Sequence, residues 1–446
     1  MRAIIIGGGE VGYNIASTLI LERHEVIVVE SNPERAAAFQ AQLDALVVTG
    51  NGGSPRLLQE IGAAKADLLL AVTEVDEVNI IAALAGHQLG VPKTVARVRD
   101  EDYFGGSDAF SRDVLGIDFI IHPERATADA IAAAILLPGA VHVDYFADGL
   151  LAIAEVVLSG ESPVAGVPMS ELQTSELHFV VGVVRDGQPV IASGSERLAT
   201  GDHLLVGASR QQIAASVAFL AGNPKKAEDT VLFGAGKIGY HLARRLEKHH
   251  LRLRVLERDE ARARYVAERL PHSEVIHEEG AGKEALLAHG VDTAGAFVAS
   301  SGDDRANLLA ALYARQLGAD LCLPVVSREE FMPLVGALGI DTAFSPRLIT
   351  AEAIVRFLRG DHVMSVHALP GGSELLELET GARSAIAGRP ARDAGLPSGC
   401  VVASIVRNGE VLVPNRDEVI LPSDRVLVVA VKAAVVDAER AFKSPA

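Results

Sequence analysis

Short runs rich in isoleucine, valine and leucine recur along this chain and alternate with amphipathic stretches. In the first 140 residues the runs at 2–6, 25–30, 45–48, 67–72 and 93–98 predict strands, and the patterns at 11–22, 33–42, 54–61 and 77–89 predict helices. A further run at 117–121 leads into a helical pattern near 125–137, which Pro138-Gly139 ends. Strands that alternate with helices imply a parallel, doubly wound sheet. Residues 141–221 change character, with shorter strands and an Asp186-Gly187 pair between apolar runs that predicts a hairpin. Gly222-Asn223-Pro224-Lys225-Lys226 reads as a linker.

After that linker the pattern starts again. Ile-Ile-Ile-Gly-Gly-Gly-Glu-Val-Gly at 4–12 faces Val-Leu-Phe-Gly-Ala-Gly-Lys-Ile-Gly at 231–239. Each apolar run enters Gly-x-Gly-x-x-Gly, at Gly7, Gly9 and Gly12 and again at Gly234, Gly236 and Gly239. Each is followed by a helical segment and a second apolar run ending in an acid, Glu30 or Glu257, 18 residues past the third glycine. Thr73 pairs with Ser301, Asp76 with Asp304, Asn79 with Asn307, His122-Pro123 with Ser345-Pro346 and Arg185 with Arg407. Gly201-Asp202 pairs with Ser423-Asp424, and the second hairpin turns at Asn408-Gly409. One such glycine motif is weak evidence; two in register are strong evidence for a duplicated dinucleotide-binding unit. The expected class is α/β: two Rossmann-like doubly wound parallel-sheet domains at 1–140 and 229–359, each followed by a small α+β domain, at 141–222 and 360–446.

Composition narrows the partners. Positive mean hydropathy invites a membrane reading, but no apolar stretch reaches the ~20 residues of a spanning helix. With no leader pattern at the N-terminus, the expectation is a soluble, cytoplasmic protein. The net charge of −17 argues against nucleic acid, whose phosphates are bound by basic surfaces. The two cysteines, Cys322 and Cys400, lie in apolar runs of different halves and are expected as buried free thiols, with no metal site.

Each motif residue has a physical reason. The first glycine permits the tight turn, the second lets the backbone approach a pyrophosphate, and the third lets the helix pack against the strand. The helix N-terminus then offers N–H groups and partial positive charge to phosphates. A carboxylate at Glu30 or Glu257 can accept both hydroxyls of a ribose and repels a 2′-phosphate, which favours NAD(H) over NADP(H). Thr73 and Ser301 close strands at the ligand-bearing edge, whereas Asn79 and Asn307 read as helix residues that bond neighbouring turns. Histidines are scattered, and none recurs in the other repeat. The pattern favours sensing over catalysis.

The chain resembles the RCK (regulator of potassium conductance) family in its duplicated form. Gly-Gly-Gly-Glu-Val-Gly at 7–12, Val-Val-Thr-Gly-Asn-Gly at 47–52 and Ala-Asp-Leu-Leu-Leu-Ala-Val-Thr at 66–73 carry the likeness, with Ala96-Arg97-Val98 and the Gly-Asp-x-Leu pattern at 201–204. The resemblance implies alternating RCK N and RCK C domains in a cytoplasmic regulatory subunit, peripheral on the inner face of the cell membrane. It further implies a homotetramer that gates a membrane potassium-translocating subunit of the Trk type. Carried onto this sequence, it places Gly7, Gly8, Gly9, Glu10, Val11 and Gly12 at the phosphates and Glu30 at the ribose. Asn51, Thr73 and Glu74 would surround the adenosine, with Arg97 near the phosphates. The second set is Gly234, Ala235, Gly236, Lys237, Ile238, Gly239, Glu257 and Ser301. NAD(H) is the expected cofactor, with ATP and ADP as competing effectors. Two departures weaken the second site. Glu278-Glu279 stand where the family has Gly-Asp, and Val325 matches Arg97, forfeiting a charge-assisted contact of about 1.5–3 kcal/mol. The alternatives are a regulator of another cation channel or of a potassium/proton antiporter, or an NAD-dependent oxidoreductase.

Overall fold

The computed structural model describes residues 1–446 apart from 22, 101–102, 104–114, 173–178, 186–187, 190–195, 223, 225–226, 341, 359–362, 370–372, 413–417 and 444–446. Strands β1 (Arg2–Ile6), β2 (Glu25–Glu30), β3 (Leu46–Thr49), β4 (Leu68–Ala71), β5 (Lys93–Arg97) and β6 (Phe119–Ile121) form one parallel sheet in the order β3-β2-β1-β4-β5-β6. Ile4, Ile5, Leu69 and Leu70 are buried without alternation, because helices cover both faces. Asn32 caps the helix Pro33–Gln42 through its side chain, and Ser54 does the same for Pro55–Glu60, so both helices start where the sequence reading put them. Strand order reverses between β1 and β4, which opens a crevice at their carboxyl ends.

The sheet of β7 (Ala140–Phe146), β8 (Leu151–Val157), β9 (Phe179–Arg185), β10 (Gln188–Pro189) and β11 (His203–Ser209) is antiparallel, ordered β10-β9-β11-β8-β7. The Asp186-Gly187 turn expected between β9 and β10 lies outside the described residues, as do Asn223, Lys225 and Lys226 of the expected linker. The Rossmann pattern then returns in β12 (Asp229–Phe233), β13 (Arg252–Glu257), β14 (Glu274–His277), β15 (Ala296–Ala299) and β16 (Cys322–Pro324), ordered β14-β13-β12-β15-β16. A parallel bridge from Val325 to Phe344 stands where β6 stands in the first copy.

A second antiparallel sheet comprises β17 (Val363–Leu369), β18 (Ser373–Glu379), β19 (Cys400–Arg407), β20 (Glu410–Leu412) and β21 (Arg425–Val431), ordered β17-β18-β21-β19-β20. Its predicted hairpin is present: Asn408 and Gly409 both take positive φ, 53° and 82°, between paired Arg407 and Glu410. The two antiparallel sheets share one apolar cluster, in which Phe146, Leu151 and Phe179 meet Leu375, Val406 and Leu427. At the edge of that cluster the buried Glu377 carboxylate accepts the Ala147 N–H at 3.1 Å, and Arg425 pairs with Asp148 at 2.8 Å. Cys322 is buried and Cys400 only half-buried, both as free thiols.

Contacts group the chain into two compact units whose borders differ from those of the repeats: Met1–Thr127 with Ser345–Phe357, and Ala128–Phe344 with Leu358–Ala446. The helix Pro346–Leu358 therefore lies mainly in the first unit, where Phe357 stacks on Phe119 with ring centroids 4.9 Å apart. Most of the helix Pro123–Leu136 belongs to the second unit, where Asp129 pairs with Arg245 at 3.5 Å. Among the described residues, no helix is long and apolar enough to cross a membrane.

Candidate nucleotide-binding site

The crevice at the switch point is a cavity of about 350 Å³ lined by Gly7, Gly9, Glu10, Val11, Glu30, Asn51, Thr73, Glu74 and Arg97, a set that the family resemblance implies; Gly8 and Gly12, expected with them, are not among its described lining residues. The three motif glycines do different work. Gly7 takes φ 110°, and a side chain there would press on the Thr73 backbone at 3.1 Å. A Cβ on Gly12 would collide with the Gly7 carbonyl oxygen, so the helix Glu10–Leu21 can approach β1 only without one. A Cβ on Gly9 would meet nothing within 4 Å, so this residue serves the space in front of the loop rather than the fold.

Glu30 is buried and braces the loop. One carboxylate oxygen accepts the Gly8 N–H at 2.8 Å; the other accepts the Asn32 N–H at 2.8 Å and lies 3.4 Å from the Arg35 guanidinium. Gly7 N–H is committed to Val29 O at 2.8 Å. Gly9, Glu10 and Val11 line the cavity at the start of the helix Glu10–Leu21, where the first backbone N–H groups have no acceptor within the helix. The Glu30 oxygen that accepts from Gly8 keeps a further lone pair for a ribose hydroxyl, whereas the other also accepts the Ser31 hydroxyl at 3.3 Å.

Asn79 fixes the opposite wall. It is fully buried; its Oδ1 accepts from Thr73 N at 2.8 Å and Thr73 Oγ1 at 2.7 Å, and its Nδ2 donates to Thr73 O at 3.0 Å and Arg97 O at 2.8 Å. The structural reading of Asn79 therefore holds, and the Thr73 hydroxyl spends its proton inside the protein. Arg97 reaches the cavity from the end of β5. Burial first, and the Arg99 charge second, lower the pKa of its guanidinium. Among the lining residues that motif reading does not single out are two arginines, Arg35 and Arg347.

The second copy repeats the frame. Glu257, also buried, accepts Ala235 N–H at 2.7 Å and Asp259 N–H at 2.9 Å, while Gly234 N–H goes to Leu256 O at 2.8 Å. Gly236, Lys237 and Ile238 follow at the start of the helix Lys237–Leu246. Asn307 bonds Ser301 N, Oγ and O and donates to Val325 O at 2.9 Å, which confirms Val325 as the partner of Arg97. Arg262, in the position of Arg35, donates to Ala235 O at 2.8 Å and lies across the loop. The Glu278 carboxylate is engaged by His289 at 2.9 Å, and that hydrogen bond holds its pKa below the usual carboxylate value. Among the described residues no cluster of three or more His, Cys, Asp or Glu could hold a metal ion.

Two Rossmann-like sheets with glycine-loop crevices, each followed by a small antiparallel domain, define a duplicated RCK-type protein. The TrkA-N domain model matches residues 3–123 and 230–346, and the TrkA-C domain model matches 153–221 and 375–443. The chain belongs to the TrkA family of Trk system potassium uptake proteins. It is 34% identical to TrkA of Azorhizobium caulinodans, with 99% of each chain covered, and 31% identical to TrkA homolog 1 of Methanosarcina mazei, covering 99% of this chain and 100% of the relative. Among solved structures, the GsuK channel bound to NAD is similar in fold, with a TM-score of 0.65 at 18% identity, over 99% of this chain and 78% of the channel.

Proposed function

We propose that this chain is a nucleotide-sensing regulatory subunit that gates a membrane potassium-translocating subunit of the Trk type. The observation that carries the reading is the pairing of Glu30 with the glycine loop at the switch point, which leaves helix-terminal amides for phosphates and a carboxylate lone pair for a ribose. NAD(H) is the favoured ligand, because a buried carboxylate there repels a 2′-phosphate and the GsuK fold relative was solved with NAD bound. ATP and ADP share the adenosine and phosphates and act as competing effectors. The ligand would act through its differential affinity for two conformations of the assembly.

The first site (Gly7 to Gly12, Glu30, Asn51, Thr73, Glu74, Arg97) binds more tightly than the second (Gly234 to Gly239, Glu257, Ser301), where Val325 replaces Arg97. The chain works as four domains, 1–140, 141–222, 229–359 and 360–446, in a homotetramer on the inner face of the cell membrane, without catalysis. The described residues lining the first cavity include neither histidine nor cysteine, the usual proton shuttles and nucleophiles. Calorimetric titration with NAD⁺, NADH, ATP and ADP, on wild type and Glu30→Ala, tests the reading. Binding without turnover, weakened by Glu30→Ala, supports it; binding of none of the four overturns it.

A further inference from the structure

The helix Pro346–Leu358 comes from the second repeat yet is part of the first compact unit, held there by the Phe357–Phe119 stack and by the Lys93 ammonium 5.8 Å from the Phe357 ring centre. Its second residue, Arg347, lines the same cavity as Gly9, Glu30 and Arg97. The Arg347 side chain is about one-third exposed and pairs with Glu10, the first residue of the helix Glu10–Leu21, whose first two residues line the cavity. In the first repeat the matching position is Glu124, since His122-Pro123 aligns with Ser345-Pro346. The cation is therefore a property of the second repeat alone, and it is delivered to the end of the first site where anionic groups are received.

We propose that Arg347 is a ligand-exchange residue of the first site: Glu10 neutralises it when the cavity is empty, and the diphosphate of an adenine nucleotide takes it over. A diphosphate is the fitting group because it carries more charge than the single Glu10 carboxylate and lies against free helix amides that a carboxylate on that helix cannot use as well. Burial lowers the Arg347 pKa, and an anion beside the guanidinium acts in the opposite direction by favouring its charged form. Exchange of Glu10 for the ligand ties occupancy of the first site to a helix whose chain runs on toward β17.

This inference rests on nucleotide binding at the first site, and the experiment separates the two. Full-length wild type, Arg347→Gln, Arg347→Lys and Glu10→Gln are titrated calorimetrically with ADP and with AMP, and each variant's melting curve is recorded. Arg347→Gln should weaken ADP by about tenfold and AMP much less, and Arg347→Lys should recover part of the loss. Glu10→Gln should tighten ADP, because the competitor is gone, and it reports even where an Arg347 variant folds poorly. Hydrogen exchange along Pro346–Leu358 should slow on adding ADP to wild type but not to Arg347→Gln. If wild type binds ADP and both Arg347→Gln and Glu10→Gln bind it equally well, the exchange role is wrong while the nucleotide site stands. If wild type binds neither ADP nor AMP, the exchange role fails, and the nucleotide reading fails with it only if NAD⁺, NADH and ATP do not bind either.

Discussion

The Asn79 side-chain amide donates to the main-chain carbonyl of Arg97 at 2.8 Å, and Asn307 repeats the bond to Val325 at 2.9 Å. The bond thus survives where the arginine does not, which marks the asparagine as a scaffold part rather than a ligand. In both copies the amide ties the loop after the fourth strand to the end of the fifth. Asn79→Ala would leave Thr73 N–H and two carbonyl groups without their partner, costing about 2–3 kcal/mol. A lower thermal midpoint in Asn307→Ala as well as Asn79→Ala is the expected result. Loss of nucleotide affinity with unchanged midpoints would contradict it.

Gly9 and Gly12 separate binding from folding. Gly9→Ala places its methyl in open space, so the melting temperature should hold while nucleotide affinity falls. Gly12→Ala drives its methyl into the Gly7 carbonyl, and relief of that overlap costs about 1–3 kcal/mol. Calorimetry and melting on the two variants check the contrast; equal melting temperatures would show that the third glycine is not a packing residue.

Much of this architecture was legible because it is local and written twice. The run ending at Glu30 reappears at Glu257, and both acids fall on strand ends next to their loops, as expected from the periodicity and spacing. What escaped was long-range or internal. Arg347 reaches the first cavity from 337 positions beyond Glu10, and no periodicity records such a contact. The Glu30 bond to Gly8 N–H also left no trace, since a carboxylate placed for a ribose and one placed to brace a loop have the same spacing. Arg35 and Arg262 were hidden among other charged residues of surface helices, although their equal position in the two repeats was a usable signal.

The repeated Arg185 and Arg407 are structural clamps. Arg185 holds the buried Asp202 carboxylate through Nε at 2.7 Å and Nη2 at 2.8 Å, and Arg407 holds Asp424 at 2.8 Å through each of the same two groups. The hydrogen bonds from Arg185 keep the Asp202 pKa below its ordinary value. A depressed carboxylate adds stability that is present above its unfolded pKa of about 4 and is lost as pH falls through the folded value. Asp202→Asn should therefore be less stable than wild type at neutral pH and lose less on acidification. Parallel acid melts of the two proteins decide the matter, and identical slopes would exclude the clamp as a source of acid sensitivity.

The two small sheets differ at one matched ion pair. His203 Nδ1 lies 2.5 Å from Glu155 in the first, and Arg425 lies 3.7 Å from Glu377 at the matching positions of the second. The Glu155 hydrogen bond raises the His203 pKa against the opposing effect of burial, with Asp202 adding a smaller push in the same direction. A histidine so raised contributes stability in full below its unfolded pKa of about 6.5, and the contribution disappears as pH rises through the higher folded value. Arg425 keeps its charge across this range, so only the first sheet should weaken toward alkaline pH. The thermal midpoint of wild type is expected to fall between about pH 6 and about pH 9, and His203→Arg should flatten that slope. Were the variant to keep the full alkaline loss, the sensitivity would have to come from another group, because the substituted pair no longer titrates there.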